Sequence, residues 1–153
     1  MRQKVSHFDA NLTNMEKLEH IGIAVKNLHQ ANELFAKLLG RPHYKIEEVE
    51  SEGVKTSFFE VGGVKIELLE ASREDSPIAK FIEKRGEGIH HVAFEVSNID
   101  QSVQQYQQQG FVPISPEPKK GADNKMICFL HPKSTGGVLI ELCQDVPGTP
   151  VEA

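Results

Sequence analysis

Four residues of two chemical types stand out for the chemistry they can do: His20, Glu67, His91 and Glu141. They lie in the apolar runs EHIGIAV, KIELLE, IHHVAFEV and LIELCQ. The histidines are 71 residues apart (91 − 20) and the glutamates 74 (141 − 67). A lone strand histidine is usually a hydrogen-bonded structural residue, and a lone strand glutamate usually faces water on the open side of an antiparallel sheet. Recurrence in pairs changes that. A carboxylate held among apolar neighbours is costly when buried without a partner. Two of them at matched positions, with two imidazoles, share one explanation if all four converge on a divalent cation. Imidazole with carboxylate suits cobalt, manganese, nickel, zinc or ferrous iron, and disfavours magnesium and calcium, which prefer all-oxygen sites.

The elements that must position these groups also recur. EHIGIAVKNLHQANELFAKLLG, from Glu19, aligns with HHVAFEVSNIDQSVQQYQQQGF, from His90: a strand, a polar turn, a helix of about three turns, then glycine. The halves close alike, on VKIELLE and VLIELCQ, each after a Gly-Gly pair that signals a hairpin (Gly62-Gly63 and Gly136-Gly137). Each half therefore reads as strand, helix, then two or three antiparallel strands. Between them, Ser76 and Pro77 open a short linking helix with Ile78, Phe81 and Ile82 on its apolar face and Gly86 at its end. The expected organisation is a flexible extension over residues 1–15, a first module over 16–70, the linking helix within 71–88, a second module over 89–145 and a tail over 146–153.

Strict strand alternation puts His20, Gly22 and Ala24 on one face and Ile21, Ile23 and Val25 on the other. By the repeat, His91, Ala93 and Glu95 share the first face, while His90 joins Val92, Phe94 and Val96 on the oily one and points away from His91. The small residues Gly22 and Ala24 beside His20 leave room for a ligand.

Composition narrows the partners. Acidic residues outnumber basic ones 22 to 17, a formal charge of −5, which argues against nucleic acid or an anionic membrane surface. Apolar runs fall short of the ~20 residues of a membrane helix. Cys128 and Cys143 sit in apolar runs and read as buried, reduced thiols of a cytoplasmic protein. In EPKKGADNKMICFLHPKSTGG, the lysines 119, 120, 125 and 133 form a cationic stretch able to attract phosphates.

The longest distinctive pieces, DSPIAKFIEKRGEGIHHVAFEV and FLHPKSTGGVLIELCQ, resemble the vicinal-oxygen-chelate superfamily of glyoxalase I, extradiol dioxygenases and bleomycin-resistance proteins, and within it the methylmalonyl-CoA epimerase family. The resemblance spans about residues 16–144. It implies an α+β fold of two tandem βαβββ modules forming a half-barrel mixed sheet around one metal. It also implies a metal bound by His20, Glu67, His91 and Glu141, with Co²⁺ or a similar divalent ion expected and Mn²⁺, Ni²⁺, Zn²⁺ or Fe²⁺ left open. Glu141 is implicated as an acid/base as well as a ligand, and relatives are usually homodimers. The implied reaction inverts the carbon between the carboxylate and thioester of methylmalonyl-CoA through a metal-stabilised enolate. Four protein ligands on an octahedral ion leave two positions for such a chelating substrate. One departure stands out: where some epimerases carry a second glutamate after a Gly-Val pair, this chain has Thr56, so the second proton carrier falls to Glu67, a water, or a glutamate between Ile46 and Glu52. The alternatives are a glyoxalase I-like lyase or isomerase acting on another α-acidic carbonyl, and a metal-free ligand-sequestering module of the same fold.

Overall fold

The computed structural model describes residues 15–146. In chain order the first half comprises β1 (Met15–Ala24), α1 (Leu28–Leu39), β2 (Lys45–Val49), β3 (Val54–Val61) and β4 (Val64–Ala71). The linking helix α2 (Pro77–Arg85) follows, then β5 (Gly88–Val96), α3 (Ile99–Gln108), β6 (Lys119–Lys120), β7 (Lys125–Leu130) and β8 (Ile140–Asp145). The expected extension and tail lie outside the described residues, except Met15, which already begins β1, and Val146.

The eight strands form one curled mixed sheet, ordered β2-β3-β4-β1-β5-β8-β7-β6. Within each βαβββ half the first strand runs parallel to the last, β1 with β4 and β5 with β8. The halves join where β1 and β5 run antiparallel. This is the half-barrel α+β architecture expected from the sequence. All four predicted ligands therefore fall on the four central strands.

Local sequence explains the helices. Asn27 and Asn98, one repeat apart, cap α1 and α3: their side chains accept from the backbone N–H of Gln30 (2.9 Å) and Gln101 (3.1 Å). Ser76 accepts from Ile78 N at 3.1 Å to open α2, with Pro77 in its first turn. The apolar face of α1 (Leu28, Ala31, Phe35, Leu39) covers Val25, Phe59 and Leu68 on the convex side of the sheet. Ile99, Val103 and Tyr106 of α3 cover Val96, Cys128, Leu130 and Leu142 on the same side. Burial of these clusters frees the concave side for the site, where Ile78 of α2 packs on Ala24, Val54 and Leu69 at the rim.

Two expectations are corrected. Gly62 and Gly63, at φ 58° and 85°, do form the tight β3–β4 turn. Gly136 and Gly137 do not form its counterpart. Pro132 starts a 3₁₀ turn over Pro132–Ser134, Gly137 N returns to Pro132 O at 2.8 Å, and β8 begins only at Ile140. The second correction concerns alternation along the β1/β5 seam. Leu18 pairs with Phe94 and His20 with Ala93, so Glu19 is an extra residue; Gly22 pairs with His91 and Ile23 with Ile89, so His90 is another. These bulges break the two-residue period. His90 and His91 do not point apart: both line the concave cavity.

Candidate metal centre

The concave side encloses a cavity of about 300 Å³ with His20, Glu67, His91 and Glu141 in its wall. All four are buried, none more than 5% exposed. The two imidazoles meet edge to face, Nε2 to Nε2 at 3.1 Å. Glu67 Oε1 lies 3.7 Å from His91 Nε2. Glu141 Oε2 lies 3.1 Å from His20 Nε2, and its Oε1 3.8 Å from His91 Nε2. Ligand atoms of His20, Glu67 and His91 all fall within 4.8 Å of one another. The structure thus brings together every residue singled out by the repeat.

Their seating follows from the seam. His20 stands opposite Ala93 and His91 opposite Gly22, so each ring crosses a strand over a small neighbour. At Gly22 there is no spare room: an added Cβ would come within 2.2 Å of His91 Cε1. Glycine there is a packing requirement of the His91 ring.

The donor set fits a divalent cation. Glu141 Oε2 is buried and, despite its closeness to His20 Nε2, accepts no aligned hydrogen bond among the described residues. An orphaned carboxylate oxygen facing two imidazole Nε2 atoms and a second carboxylate has the chemistry of a metal-ligand set. The unshared charges are visible in the protonation. Burial lowers the His20 imidazole, but the Glu141 carboxylate outweighs it and raises the ring to about 10. Burial takes His91 down to about 3 against the pull of Glu141. Burial lifts Glu67 to about 7, opposed by His20. Glu141 is held below its ordinary range, burial being overcome by His20. One proton thus sits where a cation's charge would go.

The bulged residues hold the far side of each ring. Glu19 Oε1 lies 3.2 Å from His20 Nδ1, and His90 Nδ1 lies 2.9 Å from His91 Nδ1. With His20 protonated and His91 neutral, His20 Nδ1–H donates to Glu19, His20 Nε2–H faces His91 Nε2, and His91 Nδ1–H donates to His90. Both Nε2 atoms are thereby turned to the centre, the usual work of residues behind metal-bound histidines. His90 is itself fixed edge to face on Phe81 of α2, ring centres 5.0 Å apart. Glu19, only 2% exposed, is held by Lys65 at 3.2 Å and by Lys125 at 4.0 Å. Burial raises its carboxyl, but His20 and the two lysines together bring it to about 2.

Glu19 and Lys65 were not singled out from sequence. The available signal was the repeat itself: a polar residue heads an otherwise oily strand face at both 19 and 90. The lysine stretch needs revision. Lys125 is buried and meets Asp145 at 2.5 Å and Glu95 at 3.5 Å, while Lys119 meets Glu52 at 2.5 Å. Neither is free for a phosphate. Thr56 lines the cavity fully buried, its hydroxyl without a hydrogen-bond partner among the described residues. Of the glutamates between residues 46 and 52, Glu52 lines the cavity.

Comparison with known proteins adds relatives. A sequence model of the glyoxalase/bleomycin resistance protein/dioxygenase superfamily matches residues 19–129. The chain is 36% identical over 143 residues to the mitochondrial methylmalonyl-CoA epimerase of Homo sapiens, spanning 93% of this chain and 81% of that protein. The crystal structure of methylmalonyl-CoA epimerase from Mycobacterium tuberculosis matches with a TM-score of 0.84 and 35% identity, covering 88% of this chain and 91% of that one. A methylmalonyl-CoA epimerase in complex with methylmalonyl-CoA and NH4+ matches with a TM-score of 0.83 and 32% identity, covering 87% and 96%.

Proposed function

The chain belongs to the glyoxalase/bleomycin resistance protein/dioxygenase superfamily, among its methylmalonyl-CoA epimerases, and from that premise we propose that it interconverts the 2R and 2S epimers of methylmalonyl-CoA with a divalent metal held by His20, Glu67, His91 and Glu141. The observation that carries the proposal is the convergence of two imidazoles and two carboxylates, all buried, on one point of the cavity wall.

Epimerisation requires a proton to leave one face of the carbon between carboxylate and thioester and return on the other. That C–H is a weak acid, so charge on the thioester oxygen must be stabilised as the bond breaks. When bound, a divalent ion supplies Lewis-acid stabilisation of that charge, worth several kcal/mol. The protein does the rest. The buried walls exclude water from the reacting carbon. Glu19 and His90 hold the ligand rings. Glu141 Oε2, which no hydrogen bond occupies among the described residues, takes the proton. Thr56 cannot exchange a proton at neutral pH, and Glu52, paired with Lys119, is the loop carboxylate in the same cavity that can serve the opposite face. Co²⁺ is the expected ion. A cytoplasmic homodimer completes the proposal; Leu34 and Leu38, one turn apart on α1 and 63% and 72% exposed, give it an apolar surface to pair through. No described helix is long and apolar enough to cross a membrane.

The decisive experiment incubates the Co²⁺-loaded protein with one epimer in D₂O. Deuterium should enter the α-carbon as the other epimer appears, and chelation should stop both. No exchange with Co²⁺, Mn²⁺, Ni²⁺, Zn²⁺ or Fe²⁺ would overturn the proposal.

A further inference from the structure

The half-barrel is open along one side, where the sheet's end strands, β2 and β6, share no backbone ladder among the described residues. Side chains cross that gap instead. The turn between β6 and β7, over residues 121–124, reaches back to the first half through Asp123. Lys45 Nζ donates to Asp123 Oδ1 at 3.2 Å, Lys65 Nζ donates to its Oδ2 at 2.6 Å, and the Asp123 N–H donates to Glu47 Oε2 at 2.8 Å. Lys119 of β6 adds a further tie, to Glu52 at 2.5 Å. The partners at 45, 47, 52 and 65 all belong to the first module.

These ties close the wall of the metal cavity, which Gly121, Ala122 and Asp123 line together with Glu52 and Lys119. Little else holds the turn to the first half. β6 is two residues long, exposed, and paired with β7 alone. Gly121 N–H donates to Lys125 O at 2.9 Å and Lys125 N–H to Ala122 O at 3.4 Å, so the backbone closes the hairpin on itself. Asp123 and Asn124 stand at φ 57° and 56°, the only non-glycine residues in the left-handed region among the described ones. A type I′ turn requires that pair of conformations, which glycine adopts with less strain. What aspartate adds at 123 is the carboxylate that reaches Lys45 and Lys65. The side chains of Lys45, Lys65 and Asp123 are 38%, 23% and 19% exposed, so salt can screen their attraction. A turn fixed by such charges opens more readily than strands fixed by a packed core.

We propose that the β6–β7 turn is a clasp over the metal centre, fastened by Asp123, and that the metal ion and the substrate enter and leave when it opens. The part that concerns the ion rests on the function proposed above. Lys65 carries the clasp inward: it holds Asp123 and Glu19 at once, and Glu19 backs His20 Nδ1. Closure of the turn therefore also steadies the residue behind one ligand ring.

The test uses the full chain with Lys45→Ala/Glu47→Ala. Among the described residues neither Lys45 nor Glu47 lines the cavity or touches Glu19 or a ligand ring, so any effect on the centre travels through Asp123. Stopped-flow mixing measures Co²⁺ association and Co²⁺ release into excess chelator. If exchange requires opening, both rates scale with the open fraction while their ratio stays fixed. Both should rise by about fivefold or more, with Kd within about twofold of the wild type. About 0.5 M NaCl should speed the wild type in the same way and the variant less. Unchanged rates would overturn the proposal, as would faster release alone with a matching loss of affinity, which marks a weakened site and not an uncovered one. Hydrogen exchange on the metal-free protein separates the clasp from the metal: the Gly121 amide should exchange about fivefold faster or more in the variant. A chain that binds no Co²⁺ yet shows this change keeps the clasp and loses the metal-dependent reading. An unchanged Gly121 amide overturns the clasp whatever the metal does.

Discussion

The two halves of the molecule build the same corner of one site with different parts. In each, the last polar residue before a strand histidine bulges inward and meets that ring's Nδ1. In the first half this residue is Glu19, a carboxylate sunk between Lys65 and Lys125. In the second it is His90, a neutral ring lowered to about 4 by burial and seated on Phe81. The outcome is opposite: His20 keeps a proton to about 10 and His91 sheds its own above about 3. A duplicated backbone thus presents one cationic and one neutral imidazole to a shared centre. The repeat supplies geometry, and the single residue behind each ring helps set its charge.

The largest break in the symmetry should come from the matched glutamates. Glu141→Gln keeps an oxygen that can ligate but removes the carboxylate base, so kcat should fall by about 10²–10⁴ with metal content preserved. Glu67→Gln keeps an oxygen donor where no base is required, and kcat should stay within a few-fold. Steady-state rates alongside metal analysis test the pair. Equal losses would mean that neither glutamate has a role beyond ligation.

The small residues under the rings come next. Gly22→Ala places a methyl on the His91 ring, 2.2 Å from Cε1, and should weaken Co²⁺ binding by about 10–100-fold, the range of other disturbances to ligand support. Ala93→Gly, the equivalent position under His20, removes a methyl from the small cluster with Ile127 and Cys143. It should cost about 1 kcal/mol of stability and leave Co²⁺ affinity nearly unchanged. Metal titration and thermal unfolding read the two effects separately. The residues behind the rings should rank below these: Glu19→Gln should lower Co²⁺ affinity by about tenfold, the low end for such partners, and His90→Gln by less, because an amide can still accept from His91 Nδ1–H. A larger loss at His90 than at Glu19 would reverse the roles assigned to the two halves.

Much of this site was legible because duplication printed it twice. His20 with His91, and Glu67 with Glu141, could be paired by offset, and the alternation of VKIELLE separates Glu67 and Leu69, which line the cavity, from Ile66 and Leu68, which pack under α1. The bulges were not legible, since they are defined by which residue faces which across the β1/β5 seam and no single strand carries that register. Lys125 read as part of a phosphate-attracting stretch because the carboxylates that bury it, Glu19, Glu95 and Asp145, come from three other strands. The late start of β8 was hidden by a Gly-Gly pair that looks identical to its partner and instead closes the turn begun at Pro132.

The finest test of the asymmetry counts protons. A metal takes neutral imidazole, so binding must expel any proton the ring holds. His20 is raised from about 6.5 to about 10; in the metal-free protein its proton therefore favours the folded state below pH 6.5, and that contribution is lost as the pH climbs through 10. His91, lowered to about 3, has nothing to release at neutral pH. Between pH 8 and 9, Co²⁺ binding should accordingly release close to one proton, and affinity should rise about tenfold per pH unit, levelling above 10. Below pH 7 Glu67 adds its own proton and the slope should steepen toward two. Calorimetry in buffers of different ionisation enthalpy measures the count. Two protons released at pH 8.5 would show both rings charged and the two halves alike; none would show that Glu141 and Glu19 do not hold His20 in its cationic form.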